Sequence, residues 1–203
     1  MKNIIIFASG SGSNAETIIR HFENSDYAHV AAIFTNRTDA GVIERAKKYH
    51  IPSEVFSKIE FSEVNFLEKV NSYKPDLIVL AGFLLKVPDY FIKAFPDKIV
   101  NIHPALLPKY GGKGMYGSHV HQAVFENKET VSGMTIHFVN EHYDEGNIIF
   151  QESVNIEDCQ NPEEVAHKVL VLEHKNYPVV IEKLLNAGCQ VSDDRTQHPT
   201  PNI

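Results

Sequence analysis

The chain has 203 residues, of which 43% are hydrophobic and 22% are charged, a composition typical of one globular domain. Its net charge of −7 argues against a basic surface for nucleic acid, and no apolar run approaches the roughly 20 residues that span a membrane. The two cysteines, Cys159 and Cys189, form no C-x-x-C pair, and the apolar N-terminal run meets glycine too early for a signal peptide. We therefore expect a cytoplasmic protein with reduced thiols, no nucleic-acid partner and no membrane partner.

The first hundred residues alternate between apolar runs and helical patterns. Continuous apolar runs are typical of buried parallel strands, and they are predicted at residues 3–9, 29–35, 53–56, 77–81 and 99–103. Helices are predicted between them, at residues 15–22, 41–50, 61–73 and 88–95. This alternation predicts an α/β fold with a doubly wound, mostly parallel sheet.

One of these helices has a clear apolar face. In the helix predicted at 61–73, the apolar side chains of Phe61, Val64, Leu67 (or Phe66) and Val70 recur every three or four residues. This spacing predicts that these residues form the buried face of the helix.

The pattern changes after residue 108. Residues 109–117 contain four of the eleven glycines, which predicts a flexible loop beside the end of the preceding strand. A helix is predicted at 118–126, with Ser118 as its cap. Two strands are predicted at 130–139 and 147–155, and the short loop between them predicts an antiparallel addition to the sheet.

The C-terminal part of the chain predicts one long helix followed by a tail. Asn161 is a suitable N-cap, Pro162 suits the first helical position, and acidic residues follow in the first turn. The helix is predicted to reach Asn186, with Pro178 as a potential break. Residues 1–187 are therefore predicted to form a single domain, and residues 188–203 a polar, mobile C-terminal tail.

Two polar side chains interrupt the apolar strand predicted at 99–103. Asn101 and His103 stand two positions apart, so both side chains point to the same face of the strand. Pro104 ends the strand because it has no N–H to donate. The pair thus stands at the carboxyl end of a strand, where ligands bind in open α/β sheets. An isolated asparagine and histidine at a strand end would more often form hydrogen bonds with backbone groups of the following loop. Whether this pair has a catalytic role therefore depends on the other motifs.

The turn after the first strand reads G-S-G-S-N-A from Gly10 to Ala15. Small residues at a helix N-terminus favour anion binding, and the side-chain donors of Ser11, Ser13 and Asn14 suit a phosphate monoester. The turn also fits the loose G-x-G-x-x-A dinucleotide pattern. A nicotinamide dehydrogenase is disfavoured because the second predicted strand ends in F-T-N-R, without the acidic residue that binds ribose. A nucleotide P-loop is excluded because no Gly-Lys-Ser/Thr sequence follows.

The loop at 140–146 carries three acidic residues and one histidine. It is either a solvated turn, or one of its carboxylates reaches back to His103. Asp144 is the most suitable, although spacing alone leaves Glu141 and Glu145 open. Such a carboxylate is expected to raise the pKa of His103 and to make it a general acid near neutral pH.

The histidines predict no metal site. His119 and His121 face apart on the helix predicted at 118–126, because they stand two positions apart. His137 lies in a predicted strand with no acidic residue two positions further on. A dispersed set of this kind more often caps helices or covers the surface than binds a metal.

Together these motifs resemble the phosphoribosylglycinamide formyltransferase family, the folate-dependent formyl transferases of purine biosynthesis. The resemblance spans roughly residues 2–187 and rests on four motifs. These are G-S-G-S-N at 10–14, A-G-F at 81–83, N-I-H-P-A-L-L-P-K-Y at 101–110 and Y-D-E-G at 143–146. N-I-H-P with the later D-x-G is common to folate-dependent formyl transferases, whereas G-S-G-S-N points to the glycinamide ribonucleotide branch. The resemblance implies a Rossmann-like formyltransferase fold.

The resemblance also implies a role for each matched residue. Asn101, His103 and Asp144 are the implied catalytic residues. The implied co-substrate is 10-formyltetrahydrofolate, with no metal and no covalent enzyme intermediate, and the implied assembly is a monomer or a homodimer. The implied contacts to the glycinamide ribonucleotide are Gly12, Ser13 and Asn14 for its phosphate and Glu173 for its ribose. The implied folate pocket consists of Leu84, Leu85, Lys86, Val87, Asn140, Glu141, His142 and Tyr143.

The chain departs from the family pattern outside the implied catalytic residues. Leu84-Leu85-Lys86 replaces the common Met-Arg after A-G-F, Leu170 replaces a polar residue, and no arginine occurs at 61–73. The loop at 111–117 is longer than usual, and we expect its residues 113–116 to close over the substrate ribose phosphate. His119 and His121 align with a histidine pair of the family, without indicating which of them contacts the site.

Three alternative functions differ in what they require. Formyl transferases that act on sugar nucleotides or methionyl-tRNA usually carry a further domain, and formyltetrahydrofolate hydrolase typically begins with a regulatory one; we expect neither extension here. A non-catalytic nucleotide-binding module would need neither the Asn101–His103 pair nor the acidic loop. The residues therefore favour a formyl transfer to glycinamide ribonucleotide.

Overall fold

The computed structural model describes residues 1–188. It contains seven strands and six α-helices among those residues, with a 3-10 turn at Glu60–Ser62. The strands are β1 (Lys2–Phe7), β2 (Ala28–Thr35), β3 (Ser53–Val55), β4 (Leu77–Leu80), β5 (Ile99–His103), β6 (Val131–Phe138) and β7 (Ile148–Asn155). The helices are α1 (Ser13–Phe22), α2 (Val42–Lys48), α3 (Phe66–Asn71), α4 (Asp89–Ala94), α5 (Ser118–Glu126) and α6 (Pro162–Asn186).

The strands form one mixed sheet in the order β3-β2-β1-β4-β5-β6-β7. β1 to β5 are parallel, whereas β6 pairs antiparallel with β5, and β7 antiparallel with β6. The predicted doubly wound sheet with an antiparallel addition is therefore confirmed. The strand order reverses between β1 and β4, and a crevice forms at the carboxyl ends of the strands where this happens.

The sheet is buried on both faces, which explains the continuous apolar runs. In β1, Ile4 and Ile6 pack into the core below α1 and α6, whereas Ile5 and Phe7 face a second core on the other side. This second core is rich in phenylalanine; the rings of Phe7 and Phe34 stack with their centroids 5.0 Å apart. The carboxyl ends of the central strands are thus held rigidly from both sides.

Helix α6 is fixed to the two strands that end at the crevice. Tyr177 is fully buried in α6, and its hydroxyl lies 3.0 Å from the carbonyl oxygen of Leu80 and 3.3 Å from that of Val100. Because burial in this apolar core disfavours the phenolate, the pKa of Tyr177 is raised well above its ordinary value. The tyrosine anchors α6 against β4 and β5, which determines how the N-terminal half of the helix faces the crevice.

The helix predicted at 61–73 is wrong in its first half. Its α-helix begins only at Phe66, because Glu63 is extended (φ −100°, ψ 137°) and interrupts the chain after the 3-10 turn. Val64 is consequently 63% exposed, and the buried side chains are Phe61, Phe66 and Val70. Ser57 and Glu60 stabilise the turn, since each backbone N–H donates to the other's side chain.

The predicted cap of α5 is also wrong, whereas that of α6 is confirmed. Gly117 occupies the N-cap of α5 with a positive φ of 54°, a conformation that favours glycine over Ser118. At α6 the side chain of Asn161 accepts a hydrogen bond of 2.9 Å from the backbone N–H of Glu164, and Pro162 follows. The helix continues through Pro178 to Asn186 without a break.

The extent of the domain and the nature of the tail stay predictions. The tail predicted at 188–203 falls, after its first residue, outside the described residues. Within residues 1–188, none of the helices combines the length and apolar character needed to cross a bilayer.

Candidate active site

A cavity of about 430 Å³ opens at the carboxyl edge of the sheet. The turn after β1, the segment after β4 and the end of β5 form its floor, and two loops, at 112–117 and 139–144, form its walls. Leu170 and Glu173 of α6 complete the lining. This is the position at which sheets of this topology bind their ligands.

His103 lies at the end of β5, and both of its ring nitrogens face polar groups. The residue is only 3% exposed. Its Nε2 lies 2.7 Å from the carbonyl oxygen of Tyr110, and because a carbonyl only accepts, Nε2 must carry a proton. Nδ1 is therefore the nitrogen on the side of Asp144, whose Oδ2 lies 3.7 Å away. Only the imidazolium carries a second proton at this nitrogen.

Asp144 is the carboxylate of the acidic loop that reaches the site. Oδ2 accepts a 2.9 Å hydrogen bond from the backbone N–H of Gly112, and Oδ1 lies 3.6 Å from Nε2 of His137. Burial acts to raise the pKa of Asp144, but interactions with His137, His103 and Gly112 outweigh it, so the pKa is lowered. Glu141 and Glu145, which spacing had left open, are exposed to solvent.

The predicted rise in the pKa of His103 is wrong. Burial is the largest influence and lowers the pKa, and the nearby His137 acts in the same direction. The charge of Asp144 and the carbonyl of Tyr110 oppose this shift without reversing it. The sequence indicates the carboxylate, but it does not show how deeply the imidazole is buried.

Two further histidines line the cavity: His137, for which the sequence predicts no role, and His121, one of the two histidines that align with the family's pair. His137 of β6 stands opposite Asn101 of β5, and its Nε2 lies 3.1 Å from Nδ2 of Asn101. His121 of α5 is buried, and its burial together with the charge of His103 lowers its pKa to about 4. His119 is exposed on the opposite side of α5. His137 reaches the site through the antiparallel pairing of β6 with β5, which the sequence alone does not predict.

The glycine-rich turn brings only part of its predicted residues to the cavity. Gly10, Ser11 and Asn14 line it, whereas Gly12 and Ser13 are not in its lining. Gly12 is the N-cap of α1 with a φ of 76°, and a Cβ there would clash with Val42 of α2. The turn is thus tightly packed against α2, and α1 begins at the edge of the cavity.

Asn14 and Glu173 form a buried polar pair that faces the cavity. Nδ2 of Asn14 donates a 2.6 Å hydrogen bond to Oε2 of Glu173, which is 7% exposed. Burial raises the pKa of Glu173 to about 7, although the hydrogen bond from Asn14 acts against this shift. Oδ1 of Asn14 is buried without a partner among the described residues. The pair therefore has unused hydrogen-bonding capacity beside the cavity.

Most residues of the predicted folate pocket are brought together. Leu84, Leu85, Lys86 and Val87 follow β4 and line one side of the cavity, while Asn140, His142 and Tyr143 line the other. Nζ of Lys86 lies 5.8 Å from the centroid of the Tyr143 ring. Glu141 is the exception, because it is exposed and lies outside the lining.

The site carries no evident metal cage. Within residues 1–188, no group of three or more histidine, cysteine or acidic side chains is arranged to hold a metal ion. The lack of a metal requirement stays a prediction.

The chain is similar to known proteins along most of its length. The sequence pattern of the formyl transferase family (Formyl_trans_N) matches residues 2–181. The chloroplastic phosphoribosylglycinamide formyltransferase of Arabidopsis thaliana is 42% identical over 187 residues, which cover 89% of this chain and 64% of that protein. The phosphoribosylglycinamide formyltransferase of Bacillus subtilis is 36% identical over 191 residues, which cover 91% of this chain and 95% of that protein. The crystal structure of glycinamide ribonucleotide transformylase 1 from Symbiobacterium toebii gives a TM-score of 0.85 at 30% identity, covering 96% of this chain and 92% of that chain.

The extent of these matches defines the class of the protein. A mixed α/β sheet with a polar site at its carboxyl edge carries the family's sequence pattern along nearly its whole length, so the chain belongs to the formyl transferase family. Within this family its curated relatives are phosphoribosylglycinamide formyltransferases.

Proposed function

We propose that the protein transfers the formyl group of 10-formyltetrahydrofolate to the amine of 5-phosphoribosylglycinamide, a step of purine biosynthesis. The observation that carries the proposal is the grouping of Asn101, His103 and Asp144 around one cavity at the carboxyl edge of the sheet. The named relatives support the choice of acceptor, and the family supports a folate donor.

The acceptor is proposed to lie against the turn after β1. Its phosphate would meet the backbone N–H groups of Gly12 and Ser13 at the edge of the cavity and the side chain of Asn14 in its lining, where the positive end of α1 favours an anion. Glu173 would accept hydrogen bonds from the ribose hydroxyls, since its carboxyl group faces the cavity and, within residues 1–188, bonds to no side chain other than that of Asn14. This places the amine of the acceptor towards the end of β5.

The folate is proposed to occupy the opposite part of the cavity. Its pterin would lie between the segment 84–87 and the loop that carries Asn140, His142 and Tyr143. Apolar side chains such as Leu85 and Val87 line this part of the cavity and would contact the ring system, and backbone groups of the two segments would bind its polar edge. Donor and acceptor then meet beside Asn101 and His103.

The proposed reaction begins with attack of the acceptor amine on the formyl carbon. The carbonyl electrons move to oxygen, and the resulting oxyanion accepts hydrogen bonds from Nδ2 of Asn101 and from Nδ1 of His103. Because Nε2 of His103 donates to Tyr110, the histidine can serve in this way only as the imidazolium, which the charge of Asp144 favours. Burial makes the imidazolium of His103 costly in free energy. Because the oxyanion is negatively charged, the imidazolium is stabilised most when the oxyanion forms.

The tetrahedral intermediate then collapses. The bond between the formyl carbon and N10 of the folate breaks, and a proton passes from the former amine to N10. Asp144 is suited to assist this transfer because its lowered pKa keeps it ionised at neutral pH. The products are the formylated ribonucleotide and tetrahydrofolate, and the residues named need neither a metal nor a covalent enzyme intermediate.

Two alternatives share the same chemistry. A hydrolase of 10-formyltetrahydrofolate would use water in place of the amine, and a formyl transferase for sugar nucleotides would use another acceptor. The buried Asn14–Glu173 pair favours an acceptor with hydroxyl groups over water, and the curated relatives favour glycinamide ribonucleotide. We also propose that the protein acts in the cytoplasm, binds small molecules only, and is a monomer or a homodimer. The Arabidopsis relative, by contrast, is named chloroplastic.

An absorbance assay with 10-formyl-5,8-dideazafolate as the donor tests the proposed function. Release of the deformylated product only in the presence of glycinamide ribonucleotide, and its loss in His103→Ala, is the expected result. Product release without the ribonucleotide would instead identify a hydrolase. An inactive protein in both conditions would reject this pair of substrates.

A further inference from the structure

Asn101 faces His137, which has no role in the proposed reaction. Asn101 and His137 are direct partners in the antiparallel pairing of β5 with β6, and Nδ2 of Asn101 lies 3.1 Å from Nε2 of His137. Directly opposed side chains in such a pair lie on the same face of the sheet. His137 is buried, and it lines the cavity together with Asn101.

The backbone determines which nitrogen of His137 is protonated. Nδ1 lies 2.8 Å from the carbonyl oxygen of Phe138, which can only accept a hydrogen bond. Nδ1 must therefore carry a proton, and in the neutral ring Nε2 carries a lone pair. A lone pair opposite Asn101 is satisfied by the amide N–H and repelled by the amide oxygen.

We propose that His137 is a positioning residue that fixes the orientation of the Asn101 amide. With the neutral ring as acceptor, the NH₂ group of Asn101 is held towards His137, and its second N–H remains free to donate to the oxyanion. With the amide turned over, Asn101 would present an oxygen to the same region and would repel the developing negative charge. This inference rests on the proposed function for its catalytic consequence, whereas the geometry can be tested separately.

Asp144 is the group that competes for His137. Its Oδ1 lies 3.6 Å from Nε2, beyond the usual length of an N–H···O hydrogen bond but close enough for attraction. A doubly protonated His137 would donate from Nε2 to Asp144 or to the oxygen of Asn101, and the amide would then turn over. The two arrangements thus differ by one proton on Nε2.

Nitrogen-15 NMR of the imidazole rings distinguishes the two arrangements without any substrate. In protein labelled at histidine nitrogens, with His137→Gln used for assignment, we expect His137 to show a protonated Nδ1 and an unprotonated Nε2 at neutral pH. A proton on Nε2, with or without one on Nδ1, would overturn the inference. This result is decisive even if the protein transfers no formyl group.

Steady-state kinetics test the catalytic consequence. His137→Leu removes the acceptor, and we expect kcat to fall on the order of 100-fold, as when an oxyanion donor is lost, with KM unchanged for both substrates. His137→Gln, whose amide oxygen can accept from Asn101, is expected to recover much of this loss. In an Asn101→Ala background, His137→Leu should cause little further change, because the group that it positions is gone.

The exposed His167 of α6 provides the control, since His167→Leu makes the same exchange away from the cavity. An unchanged kcat in His137→Leu would overturn the inference. So would a loss in His137→Leu that is fully additive with that of Asn101→Ala, because it would indicate a separate or merely structural role.

Discussion

Oδ2 of Asp144 lies 3.7 Å from Nδ1 of His103, a separation that joins the two by charge more than by a direct hydrogen bond. The other nitrogen of His103 donates to the carbonyl of Tyr110, so Nδ1 alone is left to respond to the reaction. Burial lowers the pKa of this histidine and Asp144 opposes the shift. Among the described residues, Asp144 is therefore the side chain that most favours the cation of His103.

Replacing Asp144 by asparagine is expected to lower the pKa of His103 further, because the negative charge that favours the His103 cation is lost. The fraction of imidazolium at neutral pH then falls, and kcat should fall on the order of 100-fold or more, as for loss of an oxyanion donor. NMR titration of the His103 ring measures the shift directly. A pKa of His103 that is unchanged or higher in Asp144→Asn would contradict this explanation.

Ionisation of the buried Glu173 is expected to cost stability as the pH rises. The folded protein keeps the proton to about pH 7, whereas the unfolded chain releases it near the ordinary pKa of 4.5. The raised pKa therefore favours the fold below pH 4.5, and this advantage is lost between pH 4.5 and 7. Glu173→Gln should consequently be more stable than the wild type at pH 8 by up to about 3 kcal/mol, and similar at pH 4.

Urea unfolding at the two pH values measures this difference. The same variant should raise KM for the ribonucleotide, because an uncharged amide accepts weaker hydrogen bonds from the ribose than a carboxylate does. If Glu173→Gln is less stable than the wild type at both pH values, burial does not disfavour the ionised carboxylate of Glu173 in the folded protein.

His121 is expected to make the fold sensitive to acid. Its pKa is about 4 in the folded protein and 6.5 in its unperturbed state, so between these values the unfolded chain binds the additional proton. Stability therefore falls as the pH drops from 6.5 to 4. In His121→Leu the loss of unfolding free energy between pH 7 and 4 should be smaller by up to about 3 kcal/mol.

Unfolding curves of His121→Leu and of the exposed His167→Leu, each recorded at both pH values, provide the comparison. The variant at His167 should lose as much stability as the wild type. Equal losses in all three proteins would mean that His121 is protonated in the fold as readily as in the unfolded chain.

The long loop is expected to contribute to acceptor binding. Gly114, Met115 and Tyr116 line the cavity, and the loop is joined to Asp144 through the backbone N–H of Gly112. Deleting residues 113–116 leaves Gly112 in the chain and should raise KM for the ribonucleotide, because the loop can no longer cover its ribose phosphate. An unchanged KM for that substrate would reject this role of the loop.

Much of the fold could be predicted because its signals are local. The apolar runs of β1 and β5 reflect burial on both faces, and the Asn161 cap with Pro162 marks the start of α6 in the sequence itself. The helix at 61–73 was mispredicted because its apolar spacing continues across Glu63, where the backbone is extended. Periodicity does not show where a chain bends.

The candidate site was predicted less completely. Asn101, His103 and Asp144 follow from sequence motifs, but His137 acquires its place only through the register of β6 against β5. The sign of the pKa shift at His103 was wrong because burial, which dominates it, depends on the packing of distant segments. Local sequence records which groups are present, whereas their desolvation depends on the whole fold.

The most direct test of the proposed function compares rate and binding in Asn101→Ala and His103→Ala. Each variant is assayed for formyl transfer, and its Kd for 5,10-dideazatetrahydrofolate, which cannot donate a formyl group, is measured by calorimetry. If both side chains act on the oxyanion, kcat should fall on the order of 100-fold or more while Kd stays close to that of the wild type. A weakened Kd with an unchanged kcat would contradict the account, because the two residues would then bind the folate and take no part in the chemistry.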